Sequence, residues 1–187
     1  MPDPIVDIST IKPCLLVVMG VSGCGKSKLA KGLREKLSWS FQEGDDLHSE
    51  HNIEKMSRGV PLTDEDRIPW LEKCHDWLVK SEQNHHGSGI LTCSALKKRY
   101  RDILRKNIQN PFYFIYIHVP EDILLKRLLK RKGHFMPASL LSSQIETLEP
   151  LQPNEPFIEI KVEEEPFEEV LQKTLYQLQQ RSLKAGS

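Results

Sequence analysis

The chain has 187 residues, with 26 Lys+Arg balancing 26 Asp+Glu, so its formal net charge is zero. That length suits one domain, residues 1–187, with a core of useful size. The balance of charge argues against a nucleic-acid or membrane-surface binder, both of which show a basic excess.

The chain opens with Asp3 and Asp7 and no long apolar run, which gives no sign of a secretory leader. Nothing later approaches the roughly twenty apolar residues of a membrane-spanning helix. Leu15–Met19 is a short apolar stretch of the kind that forms a buried strand. Gly20, Val21, Ser22, Gly23, Cys24, Gly25, Lys26 and Ser27 come next, and they fit G-x-x-x-x-G-K-[ST]. Leu29, Leu33 and Leu37 then recur on one helical face. Strand, glycine-rich turn and helix is the context in which such a loop holds nucleotide phosphates. Its amides form a nest, and the helix N-terminus adds positive partial charge. Lys26 is expected to reach the β- and γ-phosphates of ATP, and the Ser27 hydroxyl to ligate Mg²⁺.

Trp39–Glu43 reads as a second strand that ends at Gly44-Asp45-Asp46. The polar stretch from His48 to Arg67 is expected to hold short helices and loops. Pro69 is expected to open the next helix, whose apolar stripe is Leu71, Cys74 and Leu78. Ile90–Cys93 is a third strand, Leu96–Lys106 a helix, and Phe112–Val119 a fourth strand apolar enough to be covered on both sides. Glu121–Arg131 and Leu140–Leu148 read as helices, Phe157–Val162 as a fifth strand, and Phe167–Leu183 as a closing helix. Alternating strands and helices predict an α/β fold, a parallel sheet with helices on both faces. Ligands then bind at the carboxyl ends of the strands, where Gly20–Ser27, Asp45 and Ser94 fall.

The four cysteines, Cys14, Cys24, Cys74 and Cys93, form no C-x-x-C pair. Reduced thiols in the cytoplasm are the simplest account. Oxidation of Cys24 could block ATP, but a small residue filling a loop position is the favoured account. The histidines show no metal-binding spacing, so no structural metal is expected.

A GTPase-type switch would carry an Asp-x-x-Gly segment and an Asn-Lys-x-Asp guanine reader, and the chain has neither. Arg127 and Arg131 instead share one helix face just before Gly133. Small-molecule kinases place such arginines on a mobile lid, here about residues 131–140, to neutralise the moving phosphoryl group.

Several stretches carry a resemblance beyond the phosphate loop. They are Met19–Ser27, Gly44–His48, Asn52–Met56, Pro61–Arg67, Pro69–Leu71, Cys93–Lys98, Tyr100–Asp102, Arg131–Phe135, Ser143-Gln144 and Glu146–Glu149. In these the chain resembles the gluconate kinases of the shikimate-kinase-like P-loop group. The resemblance implies a P-loop NTPase fold with a five-stranded parallel sheet and a lid. It also implies ATP-dependent phosphorylation of D-gluconate to 6-phosphogluconate, and a homodimer. Relatives often have aspartate where this chain has Glu43, which leaves Glu43 a metal role through water.

Asp45 is expected to orient the acceptor hydroxyl and take its proton. Gluconate needs a cation for its carboxylate and convergent polar groups for its hydroxyls. The candidates are His48, Lys55, Arg58, Ser94, Lys97 and Arg101, with His134 in the lid. Lys97 and Arg101, four apart, are expected to share a helix face near the third strand. Which cation meets the carboxylate is left open by the sequence. A kinase for a related polyol acid and a silent nucleotide-binding module are the alternatives.

Overall fold

The structure, a computed structural model, describes residues 4–84, 86–131 and 139–186. Its strands are β1 (Leu15–Met19), β2 (Phe41–Glu43), β3 (Gly89–Thr92), β4 (Phe112–His118) and β5 (Phe157–Lys161). The helices are α1 (Lys26–Leu37), α2 (Glu50–Ser57), α3 (Asp64–Asn84), α4 (Lys98–Arg105), α5 (Glu121–Lys130), α6 (Ser139–Thr147) and α7 (Phe167–Lys184). The sheet order is β2-β3-β1-β4-β5, and every pairing is parallel.

Burial along the strands matches this order. All five residues of the central β1 are buried, as a strand covered on both faces requires. The edge strand β5 alternates, with Ile158 and Ile160 inside and Glu159 and Lys161 exposed. Those charges discourage pairing with another chain. Helices α1 and α7 pack together as one group, α3 and α4 as the other. Because β1 lies between β3 and β4, the chain leaves its carboxyl end at the topological switch point. A ligand crevice opens there in sheets of this kind.

The start of α3 differs from expectation. The helix begins at Asp64, five residues before Pro69. Thr63 caps it: its hydroxyl accepts the Asp66 N–H at 3.1 Å, and its own N–H donates to Asp66 Oδ2 at 2.9 Å. This is a capping box with aspartate in the glutamate position. Pro69 therefore sits in the second turn, where it removes the bond that would run back to Glu65.

Gly44 fixes the turn out of β2. A Cβ there would lie 1.9 Å from the Thr92 carbonyl oxygen, so no side chain fits. Its N–H donates to Thr92 Oγ1 at 3.0 Å, and its carbonyl accepts from Trp70 Nε1 at 2.8 Å. Asp45, the next residue, is thereby held at the carboxyl edge of the sheet. No helix among the described residues is long and apolar enough to cross a membrane.

Candidate active site

One cavity of about 170 Å³ sits at the carboxyl end of β1. Ser22, Gly23, Gly25, Lys26, Ser27 and Lys28 form its floor. Asp45, His48, Met56, Pro61, Leu62, Arg67, Trp70 and Ser94 form one wall, and Arg131, Leu140, Ser143 and Gln144 the other.

The floor is built as the sequence predicts. Gly20, Gly23 and Gly25 have φ of 143°, 82° and 104°. A Cβ on Gly20 would come within 2.7 Å of Cys24 Sγ, so the tight turn there requires glycine. Nothing lies within 4 Å of where a Gly25 Cβ would project, and the loop opens to the cavity at that point. Lys26 Nζ donates to the carbonyls of Gly20 at 2.9 Å and Val21 at 3.1 Å, spanning the mouth of the loop. The donor set suits a nucleotide's phosphates, and the Ser27 hydroxyl lies in the same cavity lining.

Helix α5 braces this loop. Arg127 donates to the carbonyls of Gly23 and Cys24, each at 3.3 Å, and Leu128 packs against Gly23. Arg127 thus holds the loop from behind, while Arg131, the C-cap of α5, reaches the cavity wall. On the other side, Gln144 Oε1 accepts the Ser22 N–H at 2.7 Å.

His48 is the best-defined group on the Asp45 wall. Its ring stacks on Trp70 with centroids 4.0 Å apart. Asn52 Nδ2 donates to the Asp66 carbonyl at 2.9 Å and lies 3.3 Å from His48 Nδ1. The carbonyl fixes that atom as the amide nitrogen, so Nδ1 accepts and the proton sits on Nε2. Nε2 lies 3.8 Å from Asp45. Burial, reinforced by the Arg67 guanidinium, lowers the His48 pKa to about 4. At neutral pH His48 therefore presents an uncharged N–H donor to the cavity.

That shift has a consequence for stability. Below pH 6.5 the unfolded chain binds a proton at this histidine that the folded protein refuses until about pH 4. Stability therefore falls as pH drops through that window, by at most roughly 3 kcal/mol. The depressed pKa values of Asp64 and Asp66 act in the same direction at lower pH. Thermal unfolding between pH 7 and 4.5 is expected to show the early loss, and His48→Gln to flatten it. An unchanged slope in the variant would mean that the proton is taken up elsewhere.

The remaining predicted cations separate by their partners. Lys55 Nζ meets Asp66 Oδ2 at 2.5 Å and ties α2 to α3. Arg58 is exposed and pairs with Glu54, one turn back on α2. Lys97 Nζ meets Asp64 Oδ1 at 3.1 Å, facing a neighbouring groove. The expectation for Arg101 is corrected: its side chain is fully buried, meets Glu155 at 2.6 Å, and does not line the cavity. The shared helix face fails because Lys97 is the extended N-cap of α4, so helical spacing begins only at Lys98. Glu43 Oε1 accepts from the Thr92 hydroxyl at the end of β2, and Glu43 does not line the cavity. Asp45 and Ser94 do, whereas His134 lies outside the described residues, as does most of the expected lid.

Arg67, Trp70 and Gln144 join the site without having been singled out by residue type or spacing. Arg67 lines the cavity, donates to the Tyr100 hydroxyl at 3.1 Å and lies 5.5 Å from that ring's centroid. The Tyr100 hydroxyl in turn donates to Asp64. The only signal for these residues lies in the motif stretches Pro61–Arg67, Pro69–Leu71 and Ser143-Gln144.

Comparison with known proteins agrees with this geometry. A family model described as AAA domain matches residues 16–137. A gluconokinase of Gluconobacter oxydans (strain 621H) is 53% identical over 156 residues, covering 83% of this chain and 86% of its own length. A probable gluconokinase of Mus musculus is 45% identical over 167 residues, covering 81% of this chain and 90% of its own. The crystal structure of a gluconokinase from Sinorhizobium meliloti 1021 superposes with a TM-score of 0.82 at 39% identity, over 92% of this chain and 95% of that one. Shikimate kinase from Aquifex aeolicus shares the fold, with a TM-score of 0.56 at 17% identity. Fold and site together define a P-loop kinase of the small-molecule type. The chain belongs to the gluconokinase family.

Proposed function

We propose that the protein transfers the γ-phosphoryl group of ATP to the terminal hydroxyl of D-gluconate, giving ADP and 6-phospho-D-gluconate, which feeds the pentose phosphate pathway. The observation that carries this reading is a single cavity with the phosphate loop on its floor and Asp45, His48, Arg67 and Ser94 on one wall. A donor and an acceptor can meet there without crossing solvent.

In this reading the amides of Gly20–Ser27 cradle the nucleotide phosphates, and Ser27 holds Mg²⁺, which supplies charge neutralisation when bound. Glu43, held by the Thr92 hydroxyl outside the cavity lining, would reach the metal only through water. Lys26 and Arg131 neutralise the oxygens of the moving group. Asp45 orients the acceptor hydroxyl and takes its proton as the new O–P bond forms. His48 Nε2–H donates to an oxygen of the substrate. Arg67 is the cation for the gluconate carboxylate. Its planar fork suits a carboxylate, and Lys55, Arg58 and Arg101 are each paired with an acid elsewhere. Lys97 and Lys55 support the wall through α3, and His134 belongs to the lid. A cytoplasmic homodimer completes the proposal, the four free cysteines supporting the compartment and the motif resemblance the dimer.

A panel of sugar acids and sugars assayed for ADP release with ATP and Mg²⁺ tests this. Strong turnover of gluconate with little of glucose, gluconolactone or shikimate is expected. Equal rates across unrelated sugars would remove the substrate assignment. ATP binding without turnover of any acceptor would leave a nucleotide-binding module.

A further inference from the structure

Arg101 lies outside the cavity, yet its guanidinium is fully engaged. Nε donates to Glu155 Oε1 at 2.6 Å, and Nη1 donates to the carbonyls of Ala95 at 3.0 Å and Leu96 at 3.2 Å. Nη2 donates to the Pro150 carbonyl at 3.4 Å and to Glu155 Oε2 at 3.3 Å. An arginine has five N–H donors in a fixed fork, and here each one has a partner. The two side chains are 0% and 2% exposed, so neither charge can turn to water for a substitute.

The carbonyls they hold belong to an unusual turn. Ala95 has φ of 47°, in the left-handed region that alanine seldom adopts. Ser94, immediately before it, lines the cavity. The same turn is held a second time from the end of α6. The Glu149 N–H donates to the Leu96 carbonyl at 2.7 Å, and Glu149 Oε2 accepts the Lys98 N–H at 2.9 Å. Left to itself, an alanine would relax toward negative φ and swing Ser94 off the wall. A buried, saturated ion pair grips the two carbonyls that define the turn.

We infer that Arg101 and Glu155 are a positioning pair for the acceptor wall. They fix the left-handed turn at Ala95, and through it the placement of Ser94, so that acceptor recognition depends on an ion pair that no substrate touches. The inference rests on the reading that this wall takes the acceptor. Lysine cannot replace Arg101, because a single ammonium cannot span three carbonyls and both oxygens of a carboxylate.

The test is steady-state kinetics of the full-length protein, with gluconate and ATP varied separately. Arg101→Lys is expected to raise the gluconate KM roughly tenfold, with the ATP KM within about twofold of wild type. Adding Ala95→Gly to Arg101→Lys is expected to recover part of the gluconate KM, because glycine takes the left-handed turn without being held. Should Arg101→Lys not accumulate as folded protein, Glu155→Asp keeps the charge, shortens its reach and carries the same expectation with a smaller shift. A pair that only stabilises the fold would lower the active fraction and leave both KM values alone. That result, or a parallel rise of both KM values, overturns the inference. Failure of the wild-type protein to turn over gluconate would be a different outcome, and it would remove the functional reading together with the inference.

Discussion

Lys26→Met is expected to leave the protein folded and to lower turnover at least about a hundredfold. The reason lies in where the ammonium sits. It spans the mouth of the phosphate loop on the Gly20 and Val21 carbonyls, at the edge of the cavity rather than within the core. In the proposed reaction a cation at that position would meet charge as it builds on the phosphoryl oxygens. Methionine keeps much of the length and loses the charge. The stability change should be modest, because the lost bonds come from a half-buried side chain at the cavity edge rather than from the core. Circular dichroism and thermal unfolding report the fold, and coupled ADP release reports turnover. Near-normal turnover would exclude Lys26 from the chemistry.

Why some of this site is legible in the chain and some is not is a matter of range. The floor is local. Leu15–Met19, the glycines and the leucine stripe of α1 lie within twenty-three consecutive residues, from 15 to 37, and each obeys a rule of its own neighbourhood. The same holds for β4, whose apolar run places buried residues on both faces, with Tyr113 and Tyr116 half-buried and only the terminal His118 exposed. The α3 start departs from expectation because Asp66 stands where a capping box usually has glutamate, and Pro69 resembles a helix opener.

The walls are not local. Lys55, Lys97 and Arg101 look alike in sequence, and what distinguishes them is the acid each one meets: Asp66, Asp64 and Glu155, which lie 11, 33 and 54 residues away. Arg67, in the first turns of α3, instead bonds a tyrosine hydroxyl and lines the cavity. No periodicity distinguishes these fates, since each depends on a contact made only when sheet and helices assemble. The protonation of His48 is of the same kind. It is set by Asn52, whose orientation is set by the Asp66 carbonyl on the next helix.

The second large effect concerns Asp45. Gly44, closed in by Thr92 and Trp70, delivers this carboxylate to the cavity edge opposite the phosphate loop. A primary alcohol is a weak nucleophile, and a carboxylate beside it can both aim it and accept its proton. Asparagine preserves size and one acceptor oxygen while removing the base. The loss should therefore fall on the chemical step and spare nucleotide binding, which the proposal assigns to the loop. Because alignment carries much of phosphoryl transfer, some residual rate from a merely oriented hydroxyl is expected.

Asp45→Asn is thus the most direct test of the claim that one cavity aligns an acceptor alcohol against a phosphate held by the loop. Single-turnover phosphoryl transfer to gluconate, measured beside the affinity for a non-hydrolysable ATP analogue, separates the two sides. The predicted result is a fall in the transfer rate of at least about a hundredfold with analogue affinity changed no more than about threefold. An unaltered transfer rate, or a loss confined to analogue affinity, would contradict it.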